Sequence, residues 1–190
     1  MSTQRHGSAN QTGFTLVEIL VTAVIIAFGL LGLAGLQAKM TVTQMEAYQR
    51  AHALVLVEDM VARINSQRSA AKSGGYASLG VMTMVGEDQI DPDASCQQTD
   101  LVARDLCEWE RALKGADVSD ESGDFLGAMI GALGCIEWLS APGDPVTLRV
   151  SVAWQGLAET QAPTLPCGRN VYDRESKRRV LATELILADL

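Results

Sequence analysis

Gly13-Phe14-Thr15-Leu16-Val17-Glu18-Ile19-Leu20-Val21 decides how the rest of this 190-residue chain is read. From Ile19 to Leu36 the sequence passes eighteen residues without a charge, and Thr22 is the only polar side chain among them. That length is close to the ~20 apolar residues a helix needs to cross a hydrocarbon core, and too long for a buried strand. Glu18 stands at the start of the run, where an ionised carboxylate costs on the order of a few kcal/mol unless something pairs with it. A secretory signal carries a small-residue cleavage site after its apolar core. Here the acid precedes the core and no convincing A-x-A cleavage site follows it, while a plain anchor has no use for the acid.

Outside this run the chain is soluble in character. Hydrophobic residues make up 47% but aromatics only 5%, so the apolar content is aliphatic and concentrated in one place. The length allows one domain plus a helix that need not share its core. Formal charge is −8, and removing the first thirteen residues, which hold Arg5 and no acid, makes it one unit more negative. Such a surface repels a phosphate backbone, so no nucleic-acid partner is expected. Arg5 lies on one side of the apolar run and all four cysteines on the other. Positive charge stays in the cytoplasm and disulfides form outside it, so the bulk of the chain is expected in the periplasm or beyond.

The stretch from Gly13 to Val21 resembles the type III signal sequence of type IV prepilins and pseudopilins. The resemblance implies that a membrane prepilin peptidase cuts after Gly13 and methylates the new N-terminus, Phe14. It also implies that Glu18 neutralises the terminal amine of a neighbouring subunit during assembly, which gives the carboxylate a partner. The expected organisation is a leader at 1–13, a transmembrane and filament-core helix at 14–36, an amphipathic helix half at 37–65 and a globular head at 66–190.

No proline interrupts Phe14 to Asn65. Ala53, Leu56, Val57, Met60 and Ile64 follow i, i+3, i+4, i+7 and i+11, one apolar stripe that needs a cover. Glu46–Arg50 and Asp59–Arg63 are i, i+4 pairs with the acid first, each contributing a few tenths of a kcal/mol. Gly29, Gly32 and Gly35 fit either close helix packing or a segment that loses helicity on leaving the bilayer.

Ser66 to Asp100 reads as a loop with little regular structure. Leu101 to Lys114 predicts a short helix, with Val102, Leu106, Trp109 and Leu113 on one face, Thr99 or Asp100 as cap and Gly115 as stop. Asp117 to Asp124 is an acidic loop; calcium is conceivable there, but the alternating acids of an EF-hand are absent, and a solvated loop is expected. Val146, Leu148, Val150, Val152 and Trp154 alternate with polar or small residues, predicting a strand with one buried and one wet face. Ile136 to Leu139 and Val180 to Ala188 predict two more strands, separated from it by Pro142-Gly143-Asp144-Pro145 and by the polar run Asp173 to Arg179. That run is expected to be a solvated turn. The fold class is α+β: a type IV pilin fold in which the long helix packs on an antiparallel sheet of about 3–4 strands. Glu58 to Asn65, Cys135 with Trp138, and Arg178-Arg179-Val180-Leu181 resemble the minor pilins of the PilV type.

Four cysteines allow three pairings. The local one, Cys96–Cys107 with Cys135–Cys167, is expected, and chain entropy assigns its two loops roughly 3 and 4 kcal/mol. No C-x-x-C occurs, and His52 is the one histidine after the leader, so no zinc and no other metal or cofactor is expected. A nucleophile–histidine arrangement would have to use His52, and no catalytic residues are expected. The resemblance implies a minor pilin that primes type IV pilus assembly. Its partners would be the prepilin peptidase, other minor pilins, the major pilin and the inner membrane. A pseudopilin of a type II secretion system is the alternative, and a membrane-anchored periplasmic enzyme a remote one.

Overall fold

The computed structural model describes residues 13–86, 96–115 and 129–188. The elements in order are α1 (Leu16–Ser66), α2 (Arg68–Lys72), β1 (Thr83–Val85), α3 (Leu101–Lys114), β2 (Ile130–Trp138), β3 (Val146–Gln155) and β4 (Arg178–Leu187), with a 3-10 turn at Glu175–Lys177. The strands form one antiparallel meander in the order β1-β2-β3-β4. This is an α+β, pilin-like architecture, as expected from the sequence. The chain divides into two compact units, Met1–Thr41 and Val42–Leu190.

In the first unit the described residues of α1 are all exposed, including the most apolar stretch. In the second, α1 buries Gln49, Ala53, Leu56, Val57, Met60 and Ile64, which is the predicted stripe with Gln49 added one turn earlier. The stripe packs into a core with Leu148, Val150, Val152 and Trp154 of β3 and with Trp109 and Leu113 of α3. The indole of Trp109 donates to the Leu56 carbonyl at 2.9 Å, which ties α3 to α1 inside the core.

Helix α3 has the predicted bounds. Asp100 caps it by accepting from the Val102 N–H at 3.1 Å, and Gly115 ends it in the left-handed conformation at φ 72°. Beneath α3, Arg63 joins Asp59 at 2.8 Å and also Glu108, while Tyr76 donates to Asp105. Asp59–Arg63 is therefore formed as expected.

The Ser66–Asp100 region holds two short elements, α2 and β1, and β1 pairs with β2 from Thr83↔Ile136 to Val85↔Gly134. Three expectations need correction. Strand β2 begins at Ile130 rather than Ile136, and Leu139 lies outside it. Its register shifts between Ile130 and Leu133, and Gly134 sits where a Cβ would lie 2.4 Å from the Trp109 ring. The absence of a side chain at Gly134 is what lets α3 settle onto the sheet.

Strand β3 does not have one wet face, because Ser151 and Ala153 are buried as well. A second, smaller cluster of Leu133, Cys135, Ala153 and Cys167 covers the sheet's other side, with Tyr172 and Val180 against it. The run Asp173–Arg179 is not a solvated turn either, since Arg178 is 1% exposed and opens β4. The acidic loop Asp117–Asp124 and leader residues 1–12 lie outside the described residues.

Candidate functional site

Two places carry polar groups that the fold positions with care. The first is the start of α1. Thr15 precedes the helix; its hydroxyl accepts from the Glu18 N–H at 3.3 Å and its carbonyl accepts from the same N–H at 3.1 Å and from Ile19 at 3.3 Å. Thr15 is thus the N-cap and Glu18 the third helical residue, the spacing of a capping box. An acid in the first turn also faces the positive end of the helix dipole. Phe14, just outside, is 80% exposed, and the apolar side chains beyond it to Leu36 are exposed among the described residues. Gly13, Phe14 and Glu18 therefore share one exposed helix terminus. Gly29, Gly32 and Gly35 are inside the continuous helix, with nothing within 4 Å of the place a Cβ would take.

The second place was not found by sequence reasoning. Successive residues Arg178 and Arg179 point to opposite faces of β4, as period-2 geometry demands. Arg179 turns to α1, where its Nε and Nη2 each donate to Glu46 at 3.1 Å. The same carboxylate accepts from the Leu157 N–H at 2.8 Å and the Ala158 N–H at 3.0 Å. Burial alone raises the Glu46 carboxyl, but the Ala158 N–H and the Arg179 guanidinium outweigh it and hold the carboxyl below its usual range. Arg179 also donates to the Ala158 carbonyl at 2.7 Å. Gly156 makes room for this clasp, since a Cβ there would sit 2.8 Å from the guanidinium carbon. Glu46 is consequently paired across the fold and not with Arg50, as the i, i+4 rule had suggested.

Arg178 turns the other way. It donates to the carbonyls of Leu165, Cys167 and Pro163 at 2.8, 2.9 and 2.9 Å and pairs with Glu175 at 2.7 Å. A disulfide joins Cys167 to Cys135 on β2 beside it, and a second joins Cys96 to Cys107 on α3. The segment between β3 and β4 is thus fixed by the Glu46–Arg179 clasp, by the Arg178 fan and by a covalent bond. The sequence signal was available. Two adjacent arginines inside a strand cannot both face solvent when that strand lies under a helix on one side.

Neither place has the makings of catalysis. His52 is half-buried on α1, 6.4 Å from the Tyr48 ring, and its Nδ1 has no hydrogen-bond partner among the described residues. Among the described residues no group of three or more His, Cys, Asp or Glu is placed to hold a metal ion.

Residues 8–34 match the family model described as the prokaryotic N-terminal methylation motif. The match takes in Gly13, Phe14, Glu18 and most of the apolar run, and it ends before the head begins. No curated protein and no solved structure matches the chain. The N-terminal segment is prepilin-like, and with the apolar helix it marks a membrane-anchored, pilin-like chain. The class that this motif marks is structural rather than enzymatic; the motif implies processing by a prepilin peptidase and assembly with other pilins.

Proposed function

We propose that this protein is a minor pilin, of the PilV type, that is cleaved between Gly13 and Phe14, methylated at Phe14, and primes type IV pilus assembly. The observation that carries the reading is a glycine directly before an apolar run with Glu18 five residues on, inside the matched methylation motif. On this reading residues 1–13 are the leader and 14–36 cross the inner membrane. Residues 37–65 continue the helix, and 66–190 form the periplasmic head, whose two disulfides suit an oxidising compartment. Those disulfides and the strand features favour the pilus over the pseudopilus of type II secretion. Neighbouring genes for other minor pilins, rather than for secretion components, discriminate between the two.

Mass spectrometry of the mature N-terminus tests the processing step. The expected first residue is Phe14, heavier by one methyl group; an intact Met1, or a first residue beyond Leu20, overturns the reading. Glu18→Gln tests the assembly step. Glutamine serves equally at the third position of a capping box, so the variant removes the charge and leaves the helix start intact. It is expected to be inserted and cleaved normally but to fail in priming, read as fewer sheared pili at equal processed protein. Normal piliation with this variant removes Glu18 from assembly.

A further inference from the structure

Beside the clasp, Thr43, Ala47 and Arg50 of α1 face Trp154 of the sheet across an open groove of about 370 Å³. We infer that this groove is a docking pocket for a carboxylate side chain presented by a neighbouring prepilin-type subunit, with Arg50 as its counter-ion. The inference rests on the pilin reading above and adds a contact that the N-terminal motif does not contain.

The argument begins with charge. Glu46 and Arg179 flank the groove, but they neutralise each other, and the Glu46 oxygens already accept from two backbone N–H groups. That leaves Arg50, the residue expected from sequence to pair with Glu46. It is exposed and has no ion-pair or hydrogen-bond partner among the described residues. The groove therefore has a spare guanidinium on a chain whose formal charge is −8. A guanidinium fork matches a carboxylate in geometry as well as sign.

Trp154 also lines the groove and is 3% exposed. Ala47 and the Trp154 ring make the remaining wall apolar, which suits a side chain of a protein partner. The volume falls at the small end of the roughly 300–1,000 Å³ range of ligand pockets, enough for a side chain and its flanking backbone. An anionic bilayer surface is the weaker occupant. Its recognition takes clusters of roughly 4–8 basic residues, and one spare arginine on an acidic chain is not such a cluster.

The test is a photoreactive amino acid at Ala47, which is exposed on the groove wall, in the full chain expressed in piliated cells. Adducts are mapped by mass spectrometry together with the mature N-terminus. The expected result is an adduct on a peptide of another prepilin-type subunit, at or next to an Asp or Glu. Its yield should fall at least fivefold with Arg50→Gln and persist with Arg50→Lys. A lipid adduct, an adduct only within the chain, or a subunit adduct indifferent to Arg50→Gln overturns the pocket. A chain still carrying its leader overturns both the pocket and the pilin reading, whereas a processed chain without the adduct overturns the pocket alone.

Discussion

Replacing Arg178 by methionine keeps most of the side chain's length and removes one guanidinium, so the cost is set by what that group holds. Four hydrogen bonds go: to the carbonyls of Pro163, Leu165 and Cys167, and to Glu175. The Cys167 contact is fully buried, while those to Pro163 and Leu165 are partly so and recover some hydration. A buried acceptor left without a donor costs about 1–3 kcal/mol, and breaking a buried charged hub by removing one partner about 3–5 kcal/mol. Relaxation is restricted because Cys167 is bonded to Cys135 and cannot swing outward. We expect Arg178→Met to destabilise the head by about 3–5 kcal/mol, a large share of the roughly 5–15 kcal/mol that holds a domain together. Arg178→Lys should lie between, because a point ammonium cannot reach three carbonyls and a carboxylate at once. Arg174→Met is the control: its side chain is 61% exposed, and an unfolding midpoint close to the parent's is expected. All three tryptophans lie in the head, so urea unfolding followed by fluorescence reports on it directly. With an m-value near 2 kcal/mol/M the midpoint should fall by about 2 M. A loss under about 1 kcal/mol for Arg178→Met would show that water replaces the fan, and would refute the hub.

Three further outcomes are expected. Glu46→Gln should flatten the acid limb of the head's stability. The folded carboxyl is held below its ordinary value of 4.5, so its contribution is complete above that pH and is lost as pH falls through the folded value; equal slopes for variant and parent below pH 4.5 contradict the clasp. Gly134→Ala places a methyl 2.4 Å from the Trp109 ring and 2.8 Å from Leu113, so α3 must lift, at about 1–3 kcal/mol or more; unchanged near-ultraviolet circular dichroism and midpoint contradict the close approach. Serine substitution of Cys135 and Cys167, which close 32 residues, should cost about 4 kcal/mol against about 3 for Cys96 and Cys107, which close 11; denaturation midpoints that rank the two pairs the other way contradict the loop-entropy account.

What could be read in the sequence follows the range of the interactions concerned. The α1 stripe, the bounds and caps of α3 and the core-facing side of β3 are set by residues within one or two turns of one another, and periodicity recovers them. The misses are all long-range. In the sequence strand β2 reaches back only to Ile136 until Trp109 is known to lie on Gly134, 25 positions later in the chain. Ser151 and Ala153 read as a wet face until the Cys135–Cys167 bond folds the β3–β4 segment over them. Strand β1 is three residues long, and what makes it a strand is the edge of β2. Glu46 shows the limit most clearly. The local rule offered Arg50 four residues away, for a few tenths of a kcal/mol; the fold offered Arg179 and two backbone donors, a better site for a carboxylate. At the N-terminal site the motif was legible, while the capping role of Thr15 toward Glu18 took the structure to see.

The first unit poses the question that the head cannot answer. From Phe14 to Leu36 fourteen large apolar side chains stand at least 45% exposed, and α1 buries nothing before Gln49. At about 1.5–3 kcal/mol each, an upper bound, keeping them in water forgoes roughly 20–40 kcal/mol, more than the stability of a whole domain. The helix must therefore be covered from outside the chain, by lipid or by other helices. Lipid satisfies the fourteen side chains but leaves Glu18 poorly solvated. It also gives no reason for Gly29, Gly32 and Gly35, each about 1 kcal/mol worse than alanine in a helix and none met, among the described residues, by atoms other than those of the helix around it. A bundle of like helices supplies both. In the filament proposed above, mature N-termini would bring amines for Glu18, and helices in contact would use the glycine positions for close approach. Two features that weaken the isolated helix thus find their reasons together in the proposed filament.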